Sequence, residues 1–370
     1  MMLGVSAEQE ELRASVRRFL ADRAPLSRVR ELMEGGETDW AVWEQAGSQL
    51  GLQGLAIPEA YGGAGFSFAE QAIVLEEFGA ALYGGPYLAS AVLAATALLA
   101  SPDEGARREL LPPIASGRTV ATLAFTEDGG SWDPGAIRLS AVKDGEAWRL
   151  DGHKSFVLDG ATAGLILVAA ATDAGLSLFA VEGAAAGLSR AALPALDQTR
   201  QLARLEFAGV TGRLIGSPGD GAAVLDRALD VAAIALAAEQ LGGAQRALDT
   251  AVEYAKNRRQ FDRPIGSFQA IKHRCADLLL EVESLRSAVG YAAAAVAEDS
   301  PEIPVLASLV KAYASETYFH VAAENIQIHG GIGFTWEHDA HLYFKRAKAS
   351  ELFLGDGAYH RERLASRIGL

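Results

Sequence analysis

The sequence predicts an α+β multidomain chain: a helical N-terminal block, a small antiparallel β-barrel or sandwich, then a C-terminal helical bundle. Three observations predict it. Helical apolar periodicity fills residues 1 to about 119 and returns from about 220 to 370. Short apolar or alternating runs, separated by turn dipeptides, fill about 120 to 215. The order is blockwise, whereas a doubly wound dinucleotide fold would alternate strand and helix.

Each block has its own signals. "SAEQEELRASVRRFLADRA" opens on Ser6 with Gln9 three residues on, a capping-box spacing. Leu12, Val16, Phe19 and Leu20 then recur at helical spacing. "IPEAYGGAGFSFAE" is a Pro/Gly loop that ends at a new helix start. "YLASAVLAATALLA" is an apolar run of about 14 residues, short of the roughly 20 that cross a membrane, so a buried helix is expected. In the middle block "TVATLAFTE", "GLILVAAAT", "LSLFAVEG" and "LARLEFAGV" read as strands. "VKDGEAWRL" reads as a hairpin turning at Asp144-Gly145. From Gly221 the chain is rich in Ala and Leu around much of the helix circumference. Such helices are buried on more than one side, which points to a bundle that also packs against another subunit.

Composition narrows the function classes. The chain has 370 residues, enough for more than one domain, with 50% hydrophobic and 22% charged residues. A net charge of -14 repels phosphate backbones and disfavours nucleic-acid binding. The single cysteine, Cys275, cannot form an internal disulfide, which fits a reducing cytoplasm. It sits at an apolar helical position and reads as a buried small hydrophobe. The N-terminus turns acidic and helical at once, unlike a secretion signal. A cytoplasmic protein without a membrane segment is expected.

Four motifs carry chemistry or imitate it. In "NRRQFDRPIGSFQAIKH" a helix bearing Tyr254 ends near Arg258, Pro264 and Gly266 turn the chain, and Ser267 can cap the next helix. Arg258 suits a helix C-terminus, but it also offers a forked donor set to a diphosphate, and Phe261 a flat face to an aromatic ring. "HGGIGF" follows a helix rather than a strand and lacks the full glycine pattern, so a dinucleotide fingerprint fails on context. A left-handed glycine helix cap and a close approach by a ligand are compatible readings of it. His338 and His341 lie three apart, but no carboxylate or cysteine completes a metal set, so no metal is expected. "ELFLGDGAYHRER" gathers Glu351, Asp356, Glu362 and His360, either as an acid/base site or as a helix-breaking turn with solvated charges.

"NRRQFDRPIGSFQAIKHRCADLLLEVE" and "AAENIQIHGGIGFTWEHDAHLYFKRAKASELFLGD" resemble the two C-terminal signatures of acyl-CoA dehydrogenases. "AFTEDGG", with Thr126, stands where that family's β-domain flavin motif begins. The resemblance covers nearly the whole chain. It implies a helical, β, four-helix-bundle architecture, FAD at a subunit interface, and α,β-dehydrogenation of an acyl-CoA thioester. It also implies electron delivery to an electron-transferring flavoprotein. By resemblance Arg258, Gln260 and Phe261 reach the FAD of a neighbouring subunit, with Phe268 and Gln269 on the same wall. Gln327, Gly330 and Gly331 match the segment at the adenosine end.

The chain departs from the family pattern in three places. Trp132 stands where the β-domain motif places a serine, after Asp128, Gly130 and Ser131. Phe156-Val157-Leu158 replaces a Trp-Ile-Thr-like segment, so Leu158 has no hydroxyl to offer the flavin. The usual base glutamate aligns with Leu354 before Gly355, and the alternative base position and its neighbouring arginine fall on Ala232 and Ala233. This combination resembles the second type of chain in actinobacterial heterotetramers, including those acting on steroid side-chain thioesters. There a base-bearing subunit is completed by a chain that lacks the base. The alternatives are a self-sufficient homo-oligomer with Asp356 or Glu239 as displaced base, and a scaffold that has lost FAD.

Overall fold

The structure, a computed structural model, describes residues 6–36, 38–145 and 147–370. Among the described residues six α-helices come first: α1 (Ala7–Arg23), α2 (Leu26–Gly35), α3 (Trp40–Leu50), α4 (Phe68–Ala80), α5 (Ala95–Ala100) and α6 (Glu104–Ala115). Strands β1 (Ala121–Ala124), β2 (Ser140–Asp144), β3 (Ala147–Leu158), β4 (Leu165–Thr172), β5 (Gly175–Glu182), β6 (Leu188–Leu193) and β7 (Leu202–Ile215) follow. Then come α7 (Gly221–Asn257), the short β8 (Arg259–Gln260) and β9 (Arg263–Pro264), α8 (Gln269–Ala297), α9 (Ile303–His329), α10 (Ala340–Leu352) and α11 (Gly357–Arg367). The helical, β, helical order predicted from the sequence is therefore the observed one. No helix among the described residues is long and apolar enough to cross a membrane.

Two compact units form. One holds residues up to Glu31, Phe68–Tyr83 and Ala233–Leu370. In it the Ser6 side chain accepts from Gln9 N while Gln9 returns a bond to Ser6 N, closing the capping box of α1. Helices α4 and α7 cross backbone to backbone. A Cβ on Gly79 would lie 1.9 Å from the Glu239 carbonyl oxygen, and one on Gly242 1.8 Å from that of Glu76. Only glycine permits this approach. Gly243 likewise seats the Tyr318 ring of α9. Arg13 and Arg17 from α1 then pair with the buried Glu77 of α4.

The other unit holds Leu32–Ser67 and Gly84–Ala232. Its seven-stranded sheet runs β1-β4-β2-β3-β7-β5, with β5 pairing back to β4 and β6 lying on β7. Strands β4, β2, β3, β7 and β5 thus close a ring. The expected all-antiparallel pairing needs correction. β1 runs parallel to β4, because the β2–β3 hairpin intervenes as a crossover. The hairpin turn is also displaced. Asp144 pairs with Ala147, so it is the last ladder residue, and Gly145 (φ +62°) opens the turn. The apolar "YLASAVLA" stretch is buried as expected, but Leu88–Ala94 is wound as a π-helix before α5. Its Ser90 hydroxyl accepts from Ala121 N of β1, tying helix to sheet.

Candidate functional site

The Arg258 loop grows out of the last turn of α7. Arg258 N donates to the Tyr254 carbonyl at 2.8 Å, and Ile265 N donates back to the Arg258 carbonyl at 2.7 Å. Between them β8 and β9 pair Arg259 with Pro264 and Gln260 with Arg263. The two connecting residues, Phe261 (φ +53°) and Asp262 (φ +61°), are both left-handed, as a mirror-image two-residue hairpin requires. For non-glycine residues that conformation costs roughly 1–2 kcal/mol each. The turn aims Phe261 outward. Phe261 is 86% exposed and meets the edge of Phe268, with ring centroids 6.1 Å apart. The Arg263 guanidinium lies 3.9 Å over the Phe268 ring. Arg258, Gln260 and Gln269 are exposed, and the Arg258 guanidinium engages no other side chain among the described residues. Ser267 does not cap α8 as expected. Phe268 takes the N-cap position, and the buried Ser267 hydroxyl has no hydrogen-bond partner among the described residues.

The second segment closes α9. Gln327 is exposed, and Gly330 caps the helix with φ +64° and ψ -141°, positive in φ but outside the left-handed helical well that was expected. A Cβ on Gly330 or Gly331 would meet nothing within 4 Å, so the backbone there is open to a ligand. The structure brings the two segments together. Tyr254, Ile265, Ile271 and Cys275 pack on Ala251, Ala255 and Ile328, and the Tyr254 ring stacks on His329 at 4.2 Å. Cys275 is half-buried in this cluster rather than fully buried, and burial pushes its thiol up. A guanidinium unpaired among the described residues, an outward aromatic ring and open glycine backbone fit a diphosphate-bearing aromatic cofactor such as FAD.

The β-domain positions fit the flavin less well. The buried Thr126 hydroxyl donates to the Ser155 carbonyl at 2.7 Å. Lys154, wholly buried beside it, donates to the Phe125 carbonyl and Glu127, and burial lowers its ammonium to about 8. Burial alone would raise Glu127, but the N–H groups of Leu139 and Arg138 and the Lys154 ammonium hold it below its ordinary value. Arg204 and then Ser155 hold Asp128 below the carboxylate range. Trp132 packs near Phe125, with ring centroids 5.9 Å apart. Phe156 (φ +58°) bulges out of β3, and Leu158 is buried with its carbonyl bonded to Thr122. Where the family pattern places hydroxyls, this chain presents an indole and an isobutyl group.

The acids of "ELFLGDGAYHRER" do not converge. Glu351 pairs with Lys348, Asp356 caps α11 by accepting from Tyr359 N, and Glu362 is exposed. Leu354 is 4% exposed and left-handed at φ +63°. Ala232 and Ala233 are buried methyl groups, and Glu239 is buried at the α4–α7 crossing. A clamp that sequence reading missed holds the Leu354 loop. The buried Lys311 ammonium donates to the Glu351 carbonyl at 3.1 Å, the Gly355 carbonyl at 3.0 Å and the Ser315 hydroxyl at 2.9 Å. His360 Nε2 donates to the Leu354 carbonyl at 2.9 Å. Burial, with Lys311 second, drives that imidazole down to about 3. A lysine and serine four apart on an otherwise apolar helix face was the available signal. His338 accepts from Ala340 N, His341 packs on Trp336, and no metal-binding group of three His, Cys, Asp or Glu occurs among the described residues.

The chain matches the models described as acyl-CoA dehydrogenase N-terminal, middle and C-terminal domains over residues 6–118, 122–210 and 219–369. It is 37% identical over 362 residues to acyl-CoA dehydrogenase IpdE2 of Mycobacterium tuberculosis, covering 98% of this chain and 97% of that one. A chain of the ChsE4-ChsE5 complex from Mycobacterium tuberculosis superposes with a TM-score of 0.90 at 31% identity, over 100% of this chain and 99% of that one. A variant of the Tcur3481-Tcur3483 steroid ACAD gives a TM-score of 0.89 at 33% identity, over 99% and 98%.

Proposed function

The chain belongs to the acyl-CoA dehydrogenase family of flavin-dependent CH–CH oxidoreductases, and on that premise we propose that it completes the FAD site of a second, base-bearing acyl-CoA dehydrogenase-like chain. One observation supports this reading: Arg258 and Phe261 are exposed, and the Arg258 guanidinium pairs with no side chain among the described residues, while both base positions, Leu354 and Ala232, hold buried hydrocarbon. Arg258 would hold the diphosphate with its forked donors, Phe261 would offer its ring to the aromatic part, and the open Gly330–Gly331 backbone would admit the adenosine end. When bound, FAD supplies the hydride acceptor.

Removing the α-proton of a thioester needs a carboxylate within hydrogen-bond reach. Leu354 and Ala232 cannot accept a proton. Asp356 is already committed to Tyr359 N. The base therefore comes from the partner, in a heterotetramer of two chain types. The substrate is an acyl-CoA thioester of steroid type, as the Tcur3481-Tcur3483 relative is described, and the electrons leave to an electron-transferring flavoprotein.

The test is co-expression with an acyl-CoA dehydrogenase-like chain encoded beside it. Arg258→Ala in this chain should weaken FAD binding to the complex about 10-fold or more, the size of one charge-assisted hydrogen-bond pair. Unchanged flavin affinity in the complex overturns the proposal.

A further inference from the structure

We infer that Tyr254 and His329 are positioning residues for this cofactor half-site, their stacked rings locking the Arg258–Phe261 loop to the Gln327–Gly331 turn. The inference rests on the function proposed above and deepens it.

The two segments come from different helices. α7 and α9 run side by side in the same direction, since Gln240 meets Ser315, Gly243 meets Tyr318 and Tyr254 meets His329 at a constant sequence offset. At the far end of that contact both helices stop, and helix ends fray. The Tyr254–His329 pair sits there, with centroids at 4.2 Å and planes at 29°. The backbone of each residue adjoins one of the two loops. The Tyr254 carbonyl holds Arg258 N, and His329 immediately precedes Gly330.

The His329 ring is itself fixed. Its Nδ1 donates to the Asn325 carbonyl at 2.8 Å, which sets the tautomer, and the His338 ring packs on it with centroids 4.3 Å apart. Ile265 packs, like Tyr254, on the cluster of Ala251, Ala255 and Ile328. Neither Tyr254 nor His329 is placed among the exposed groups offered to the cofactor, so their effect on it passes through the two loops. A purely structural pair would matter to folding alone.

The experiment uses the complex with its partner chain and reads the FAD dissociation constant by flavin fluorescence, with the thermal midpoint of the complex alongside. Tyr254→Leu and His329→Leu should each weaken FAD about two- to tenfold, the worth of one aromatic pair. The double variant should lose no more than the weaker-binding single, because both remove one contact. Tyr254→Phe should restore affinity, and so should His329→Phe in large part. Several results overturn the inference: FAD affinity unmoved in the leucine variants, additive losses in the double variant, or no rescue by phenylalanine. Arg258→Ala separates the two levels. If it weakens FAD while the leucine variants do not, only the positioning role falls. If neither change matters, the proposed function falls as well.

Discussion

Phe261 gives a prediction in which stability and function part company. Replace it with glycine. In the chain by itself the change relieves a left-handed non-glycine residue, a gain of roughly 1–2 kcal/mol. It forfeits the edge contact with Phe268, about 0.5 kcal/mol, and adds the conformational freedom of glycine, about 1 kcal/mol. The net effect on urea unfolding is near zero, within about 1 kcal/mol, where a buried Phe truncation costs about 3–5. In the complex the account reverses. A ring that is 86% exposed has almost its whole surface left to bury. Burying about 150 Å² at roughly 25 cal/mol per Å² sets a ceiling near 4 kcal/mol, and half of that is about 30-fold in affinity. The assays are urea unfolding of the chain and FAD titration of the complex. An unfolding loss above about 2 kcal/mol, or a FAD shift below about twofold, would refute the reasoning.

Other expectations follow from the same geometry. Lys311→Met removes the donor to the part-buried Glu351 carbonyl and the buried Gly355 carbonyl and should destabilise by about 1–3 kcal/mol or more in chemical unfolding, the cost of leaving one buried acceptor unmet. His360 has its folded pKa lowered from 6.5 to about 3, so its neutral form contributes stability that is complete above pH 6.5 and lost as pH falls toward 3. The unfolding free energy extrapolated from urea titrations should drop over that window by on the order of a few kcal/mol, and His360→Gln should flatten the His-linked part of the slope. Gly242→Ala drives a Cβ into the Glu76 carbonyl and should cost roughly 3 kcal/mol or more, read as a fall in thermal midpoint.

The blockwise pattern made the fold order legible, because helical and strand periods differ and the Ser6–Gln9 cap is local. Pairing direction was not. β1 runs parallel to β4 through contacts between segments some forty residues apart, and periodicity carries no direction. The loop residues Arg258 to Phe261 could be named from the motif. Their outward aim could not, since it depends on the left-handed pair Phe261 and Asp262, neither of them a residue that advertises positive φ by being glycine. The Lys311 and His360 clamp stayed hidden for another reason. Apart from the Ser315 hydroxyl its acceptors are main-chain carbonyls, whose positions side-chain identity does not reveal. The absence of a base was the reverse case: Leu354 and Ala232 are read directly from the sequence, and burial gives them no hidden polar partner to borrow.

Flavin content and turnover of the purified chain, alone and with its base-bearing partner, test the central claim most directly. The chain alone should show little flavin absorbance and no acyl-CoA dehydrogenation, with both appearing in the complex. Stoichiometric flavin and turnover from the chain alone would contradict it.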